Sequence, residues 1–321
     1  MRVPIACVLA AAVFAPPASA ACQMEDVAEI RVELNRNQLL TQGEIDDHPV
    51  RVLIDTGSNV SMIWRPAIER LGLRMFTGPR MRIYGLGGES PVYAAFVKDF
   101  RAAKFTVTNR RFPVAGDLPS GMDFILAEDL LSRSAVEFDL GHGVVRTMTP
   151  TGCATPELPY WAKTYSLVDL LASPHDALAI QVNVMLNGHR VRALLDSGSS
   201  ISIVSKSIAD SLGVQYADTA GELVGIGHRS LKMWLANIES FALGDETIRD
   251  TQLRVAQMDR YRTTTRVGSR IPVAVGNGAA DMLLGLDFLR VHRVLIDNTT
   301  RKMVFTYEGG PVFEITGPVG H

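Results

Sequence analysis

The 321-residue sequence is poor in cysteine, in excess charge of either sign and in long apolar runs. Its three cysteines, Cys7, Cys22 and Cys153, are too few for a disulfide-scaffolded miniprotein, and none stands in a Cys-x-x-Cys pair that would hold zinc. The 32 Lys and Arg balance 34 Asp and Glu, for a formal charge of −2. Affinity for nucleic acid comes from phosphate neutralisation, so this balance argues against a general nucleic-acid binder. The seven histidines show no His-Glu-x-x-His spacing, and no Gly-x-Ser-x-Gly elbow marks a serine nucleophile. Gly85-Leu86-Gly87-Gly88 does not open a helix in a βαβ unit, so it is no nucleotide cradle. The expectation is a protein without metal or cofactor. Beyond residue 20 no stretch reaches ~18 uninterrupted apolar residues, so no transmembrane segment is expected in the mature chain.

What is present begins with a targeting segment. Residues 1–20 carry Arg2, an apolar run from Val3 to Ala15 and an Ala18-Ser19-Ala20 cleavage site, the pattern of a secretory signal peptide. A rival reading anchors the chain as a lipoprotein through Cys22, although Ser19-Ala20-Ala21-Cys22 has no leucine three residues before the cysteine. Cys7 leaves with the signal. An oxidising compartment would permit a bridge between Cys22 and Cys153, tying the mature N-terminus to the middle of the chain; two free thiols are the alternative.

The chain also repeats itself. Leu53-Ile54-Asp55-Thr56-Gly57-Ser58-Asn59-Val60-Ser61 returns as Leu194-Leu195-Asp196-Ser197-Gly198-Ser199-Ser200-Ile201-Ser202, 141 residues on. Ile83-Tyr84-Gly85-Leu86-Gly87-Gly88 returns as Leu223-Val224-Gly225-Ile226-Gly227-His228. Phe124-Ile125-Leu126-Ala127-Glu128-Asp129 returns as Met282-Leu283-Leu284-Gly285-Leu286-Asp287, now 158 residues on, which puts an insertion of about 18 residues between Met258 and Gly278. Three blocks in one order mark a tandem duplication of a unit of ordinary domain size. The expected division is 1–20 signal peptide, 21–148 first lobe, 149–176 linker and 177–321 second lobe. The linker is rich in proline, with one short helix expected around Ser166–Leu171.

Each copy reads as β-structure. Val50–Ile54 and Arg190–Leu195 are short alternating or apolar runs. Asn187-Gly188 is a hairpin turn, and Asp46-Asp47 holds the same place in the first copy. A short helix follows each Asp-x-Gly-Ser loop; Pro66 suits its start and Gly72 its end. A single Asp-x-Gly turn would mean little. Two of them, brought face to face by a pseudo-two-fold, would set Asp55 against Asp196. Two carboxyls at contact distance cannot both ionise readily and share a proton, so one can activate water while the other protonates a carbonyl oxygen.

These blocks resemble the signatures of retropepsin-like aspartic proteases, over roughly residues 30–148 and 178–306. The tandem, exported arrangement is similar to bacterial periplasmic aspartyl proteases. The resemblance implies an all-β fold of two β-barrel lobes and a polypeptide substrate bound in extended form, cut by an Asp55/Asp196 dyad within a monomer. It implies that Thr56 and Ser197 brace the two loops and that Gly57 and Gly198 permit their turns. Ser58 and Ser199 are expected to bond the outer carboxylate oxygens, favouring an acidic working pH. Tyr84, Gly85, Gly87, Gly88, Gly225 and Gly227 fall in the flaps that cover substrate. Lobe one departs from the pattern at Ala127, where the family packs a glycine. Asp129 and Asp287 are expected to pair locally rather than catalyse. A silent peptide-binding or assembly module stays open as an alternative, as does pairing of lobes between two chains.

Overall fold

The computed structural model describes residues 22–35, 37–85, 88–116, 121–172, 178–223, 230–258 and 280–313. The targeting segment and nearly all of the expected insertion lie outside them.

Each lobe is a closed six-stranded barrel. In the first, Gln38–Ile45, His48–Ile54, Phe124–Leu126, Met62–Trp64, Phe105–Ala115 and Gly88–Ala102 neighbour one another in that order. Ile45 then pairs back onto Phe100. In the second, Gln181–Leu186, His189–Leu195, Met282–Leu284, Ile203–Ser205, Glu246–Ala256 and Leu231–Leu243 repeat the order, and Leu186 closes onto Phe241. Closure removes the open sheet edges that would otherwise invite aggregation.

The period-two pattern of the sequence produces this directly. His48–Ile54 and His189–Leu195 have the same succession of exposed and buried residues. Val50, Val52 and Ile54 turn into the main core, as do Val191, Ala193 and Leu195. Leu53 and Leu194, on the opposite face, pack in separate small clusters. The two hairpin turns before these strands use left-handed residues, with φ of 48° and 63° at Asp46 and Asp47 and 48° and 78° at Asn187 and Gly188. That twist matches the strands it joins.

A third sheet of six strands joins the lobes. Its order is Gln23–Arg31, Val144–Thr151, Ala135–Asp139, His292–Asp297, Lys302–Tyr307 and Ser166–Asp169. Its centre pairs one lobe with the other, Val136 against Ile296 and Phe138 against Val294. Buried Glu137 crosses the join, bonded to Arg146 of its own lobe and Arg293 of the other. The helix expected around Ser166–Leu171 is instead this sheet's edge strand. Ser166 and Val168 are buried while Leu167 and Asp169 are exposed, a two-residue period no helix could satisfy. The strand Val144–Thr151 likewise runs on into the segment expected as linker. Cys22 and Cys153 form a disulfide that pins the start of the first strand of this sheet.

Candidate active site

The two aspartate loops meet between the barrels. Each follows a barrel strand and is held from behind by the short strand that leads into the apolar packing element. The Asp55 N–H donates to the Leu126 carbonyl at 3.0 Å and the Asp196 N–H to the Leu284 carbonyl at 2.9 Å.

Thr56 and Ser197 link the two loops by four hydrogen bonds that cross the pseudo-two-fold. The Thr56 hydroxyl donates to the Leu195 carbonyl (2.8 Å) and accepts from the Ser197 N–H (3.0 Å). The Ser197 hydroxyl donates to the Ile54 carbonyl (2.8 Å) and accepts from the Thr56 N–H (3.0 Å). Both side chains are essentially fully buried, so these bonds work in a low dielectric where an unmade one is costly.

The glycines are needed for contact. A Cβ on Gly57 would lie 2.3 Å from the Asp196 carboxyl carbon, and one on Gly198 would lie 2.5 Å from that of Asp55. Each glycine therefore makes room for the opposite lobe's carboxyl. Both aspartates keep some exposure at the cleft, but desolvation by the surrounding protein is the leading influence on each. It holds the Asp55 carboxyl well above the usual carboxylate range, and the Asp196 charge adds to the effect. Asp196 is pushed up to about 6, with the N–H groups of Gly198 and Ser199 pulling the other way. Those two groups donate to its Oδ1, each at 3.0 Å. In lobe one Gly57 and Ser58 also oppose the shift, yet the Asp55 Oδ1 is buried with no hydrogen-bond partner among the described residues.

One expectation is overturned. The hydroxyls of Ser58 and Ser199 do not reach the carboxylates. Each turns back to its own loop, donating to the carbonyl of Val60 (3.2 Å) and of Ile201 (2.8 Å). With that stabilisation of the ionised form missing, burial and like charge dominate, and the pair is shifted away from acidic values rather than toward them.

The flap residues are placed unevenly. Gly85 pairs with Gly88 at the end of the hairpin formed by Met75–Gly85 and Gly88–Ala102, and Tyr84 stands opposite Glu89. Gly87, Gly225 and Gly227 lie outside the described residues. In lobe two the equivalent strands, Tyr216–Leu223 and Leu231–Leu243, pair as far as Leu223 against Leu231.

Behind the loops lies a layer in which Asp129 and Asp287 pair locally with two serines, Ser61 and Ser202, that were not singled out in the sequence. Ser61 Oγ donates to Asp129 (2.6 Å) and accepts from the Ala127 N–H (3.0 Å). Ser202 Oγ does the same with Asp287 (2.6 Å) and the Gly285 N–H (3.0 Å). Asp129 and Asp287 thus act locally, orienting a serine that grips the packing element. The repeat at Ser61/Ser202 and Asp129/Asp287 was the available signal. Gly285 is needed here, since a Cβ would fall 2.5 Å from the Ile201 carbonyl oxygen. Ala127 is accommodated fully buried with the matching N–H bond kept at the same 3.0 Å. Among the described residues no group of three or more His, Cys, Asp or Glu is placed to hold a metal, and no helix is long and apolar enough to cross a membrane.

No curated protein matches the chain. The aspartyl protease family matches residues 41–127 and 182–288, one stretch in each barrel and together more than half the sequence. With an aspartate loop in each matched stretch, the chain belongs to the aspartyl protease family, built as two tandem retropepsin-like lobes.

Proposed function

We propose that the protein is an exported aspartic endopeptidase whose two lobes, within one chain, supply Asp55 and Asp196 to a single catalytic pair. The observation that carries this reading is the reciprocal contact in which each loop's glycine clears space for the other lobe's aspartate. An extended peptide would lie in the cleft beneath the hairpin around Gly85–Gly88 and gain strand-like backbone bonds there.

In the working form the pair holds one proton. Asp196, pushed up to about 6, ionises first and takes a proton from the attacking water. Asp55, held higher, gives its proton to the carbonyl oxygen. The water oxygen bonds to the carbonyl carbon and forms a gem-diol. The proton on Asp196 then passes to the amide nitrogen, the C–N bond breaks, and Asp55 recovers a proton from the diol. Below about pH 6 Asp196 is protonated and no base remains, so cleavage falls as pH drops through that value.

The residues 1–20 fit export by a signal peptide, to the periplasm in a bacterial cell. The Cys22–Cys153 disulfide supports an oxidising destination. It also weighs against a lipid on Cys22, because that sulfur is already bonded.

The test uses mature protein from Ala21 onward, incubated with a diverse peptide mixture between about pH 3 and 8 and read by mass spectrometry. Internal cleavage by the wild type, lost in both Asp55→Asn and Asp196→Asn, supports the reading. Absence of cleavage by the wild type at every pH contradicts it and favours a peptide-binding module.

A further inference from the structure

The two lobes satisfy one aspartate differently. In lobe one Asp129 accepts from the Ser61 N–H at 2.8 Å, from the Ser61 hydroxyl at 2.6 Å and from the Arg110 guanidinium at 2.6 Å. In lobe two Asp287 keeps the serine bonds, from the Ser202 N–H at 2.8 Å and the Ser202 hydroxyl at 2.6 Å. Among the described residues no cationic side chain bonds to it. Strand register explains the loss. Arg110 stands opposite Val97 in the first barrel and Thr251 stands opposite Ile238 in the second, so a threonine takes the arginine's place. Asp287 is 2 % exposed. Burial pushes its carboxyl up to about 6, with Ser202, the Arg290 charge and the Phe288 N–H pulling the other way. A buried carboxylate without a paired cation is costly, and here each oxygen accepts one serine bond and keeps a lone pair for another donor.

The exchange of arginine for threonine leaves room. A groove of about 960 Å³ opens there, with Ser202, Thr251 and Asp287 among the residues that line it. Two exposed acids, Glu239 and Asp250, and two exposed amides, Asn237 and Gln252, line it as well. By the same register, lobe one has Lys98 in place of Glu239 and Arg111 in place of Gln252, so the corresponding face has lost base and gained acid. One lining residue is cationic. It is Arg254, which donates to the Thr219 hydroxyl at 3.2 Å. Phe313 walls one side, but its ring packs against Phe241 and Phe288 in the core.

We propose that this groove of lobe two binds a guanidinium group, the arginine side chain of a bound polypeptide, with Asp287 as its principal acceptor. Lobe one shows the contact made within a single chain, where the equivalent carboxylate takes a guanidinium from its own barrel. In lobe two the same donor comes from outside. A guanidinium suits the site better than an ammonium, because its planar fork can serve both oxygens of one carboxylate. The volume is that of a site for ligands larger than one side chain, so the peptide flanking the arginine would lie along Asn237 and Gln252. The site belongs to the layer behind the Asp196 loop and does not rest on the peptidase reading.

The test uses the full mature chain with blocked glycine tripeptides that carry arginine or citrulline at the centre, and arginine amide beside them. Backbone amide shifts in NMR follow binding, with Thr251 and Gln252 as reporters. The expected result is saturable binding of the arginine tripeptide below about 10 mM. The citrulline tripeptide, which keeps the shape and loses the charge, should bind at least about tenfold more weakly. Thr251→Arg supplies lobe one's own arginine and should abolish binding while raising the unfolding temperature. Asp287→Asn should weaken binding at least about tenfold; should it not fold, Thr251→Arg decides alone. Lack of saturable binding, equal binding of the citrulline tripeptide, or unchanged binding in Thr251→Arg overturns the proposal. Arginine amide binding as tightly as the tripeptide would overturn a polypeptide as the source and assign the site to a free guanidinium compound. None of these readouts needs peptide cleavage, so failure of the peptidase reading would be seen separately.

Discussion

Behind the aspartate loop the first lobe reads Leu126-Ala127-Glu128, and the second reads Leu284-Gly285-Leu286. The backbone hydrogen bonds around these segments are the same in both lobes. So are the strand order, the serine–aspartate grip and the crossed hydroxyl brace. The side chains there differ, with Ala127 and Glu128 standing where the second lobe has Gly285 and Leu286. The aspartates themselves differ as well: Asp196 has two N–H bonds at Oδ1 and is pushed up to about 6, whereas Asp55 has an Oδ1 without a partner among the described residues and is held well above the usual carboxylate range. Duplication gave one scaffold twice, and a few substitutions made the two halves chemically unequal.

The largest effect should come from the element the lobes share. Gly57→Ala and Gly198→Ala each drive a methyl into the opposite carboxyl, and a displacement near 1 Å in a reacting group costs about 10²-fold. Both variants should lose at least about 10²-fold in kcat on a cleaved peptide. A loss in only one would mean that the lobes do not depend on each other equally.

A second variant exposes a feature of lobe one alone. The disulfide pins the strand Gln23–Arg31 to the end of Val144–Thr151, across a separation of 131 residues. Cys22→Ser should lower stability in urea by about 2–3 kcal/mol, with unfolding beginning at that outer strand in hydrogen exchange.

The third effect depends on pH. The folded-state pKa of Asp196 is raised from 3.8 to about 6, so the folded protein holds this proton more tightly than the unfolded chain. That contribution is fully favourable below about pH 4 and is lost as pH rises toward 6. Asp196→Asn removes the titration. Its stability should match the wild type near pH 4 and exceed it by about 1–3 kcal/mol above pH 6, measured by urea denaturation.

The smallest effect exchanges the packing residues. Gly285→Ala meets the Ile201 carbonyl and should destabilise by about 1–2 kcal/mol. Ala127→Gly should cost about 0.5–1 kcal/mol through lost packing and added chain freedom. Equal and negligible costs would show that the two packing sites are already alike.

Much of this is legible in the sequence alone. The doubled Asp-x-Gly-Ser block marked the aspartates and Asn187-Gly188 announced its hairpin, while the brace of Thr56 and Ser197 came from the family resemblance. Local chemistry sufficed for the first two. The central sheet was not legible as a sheet: two of its hairpins are local, but the pairings that join them to each other and to the two outer strands span more than 100 residues and leave no local pattern. The strand Ser166–Asp169 alternates over only four residues, too few to be told from a helical turn. The Ser58 and Ser199 hydroxyls could be assigned a donor role but not a direction, since a carboxylate and a backbone carbonyl compete for them and only the loop's conformation decides. Glu128 was visible as a mismatch with Leu286, yet nothing in the sequence said that its carboxyl is buried without a hydrogen-bond partner among the described residues.

The central claim is that two lobes of one chain share one pair of aspartates, and mixing inactive variants tests it most directly. Asp55→Asn and Asp196→Asn would be assayed separately, then refolded together at equal concentration and assayed again. The account predicts no cleavage in either alone and none in the mixture, since every chain pairs its own lobes and lacks one carboxyl. Recovery of cleavage on mixing would mean that lobes pair between chains, and activity in either single variant would mean that the aspartates do not share a site.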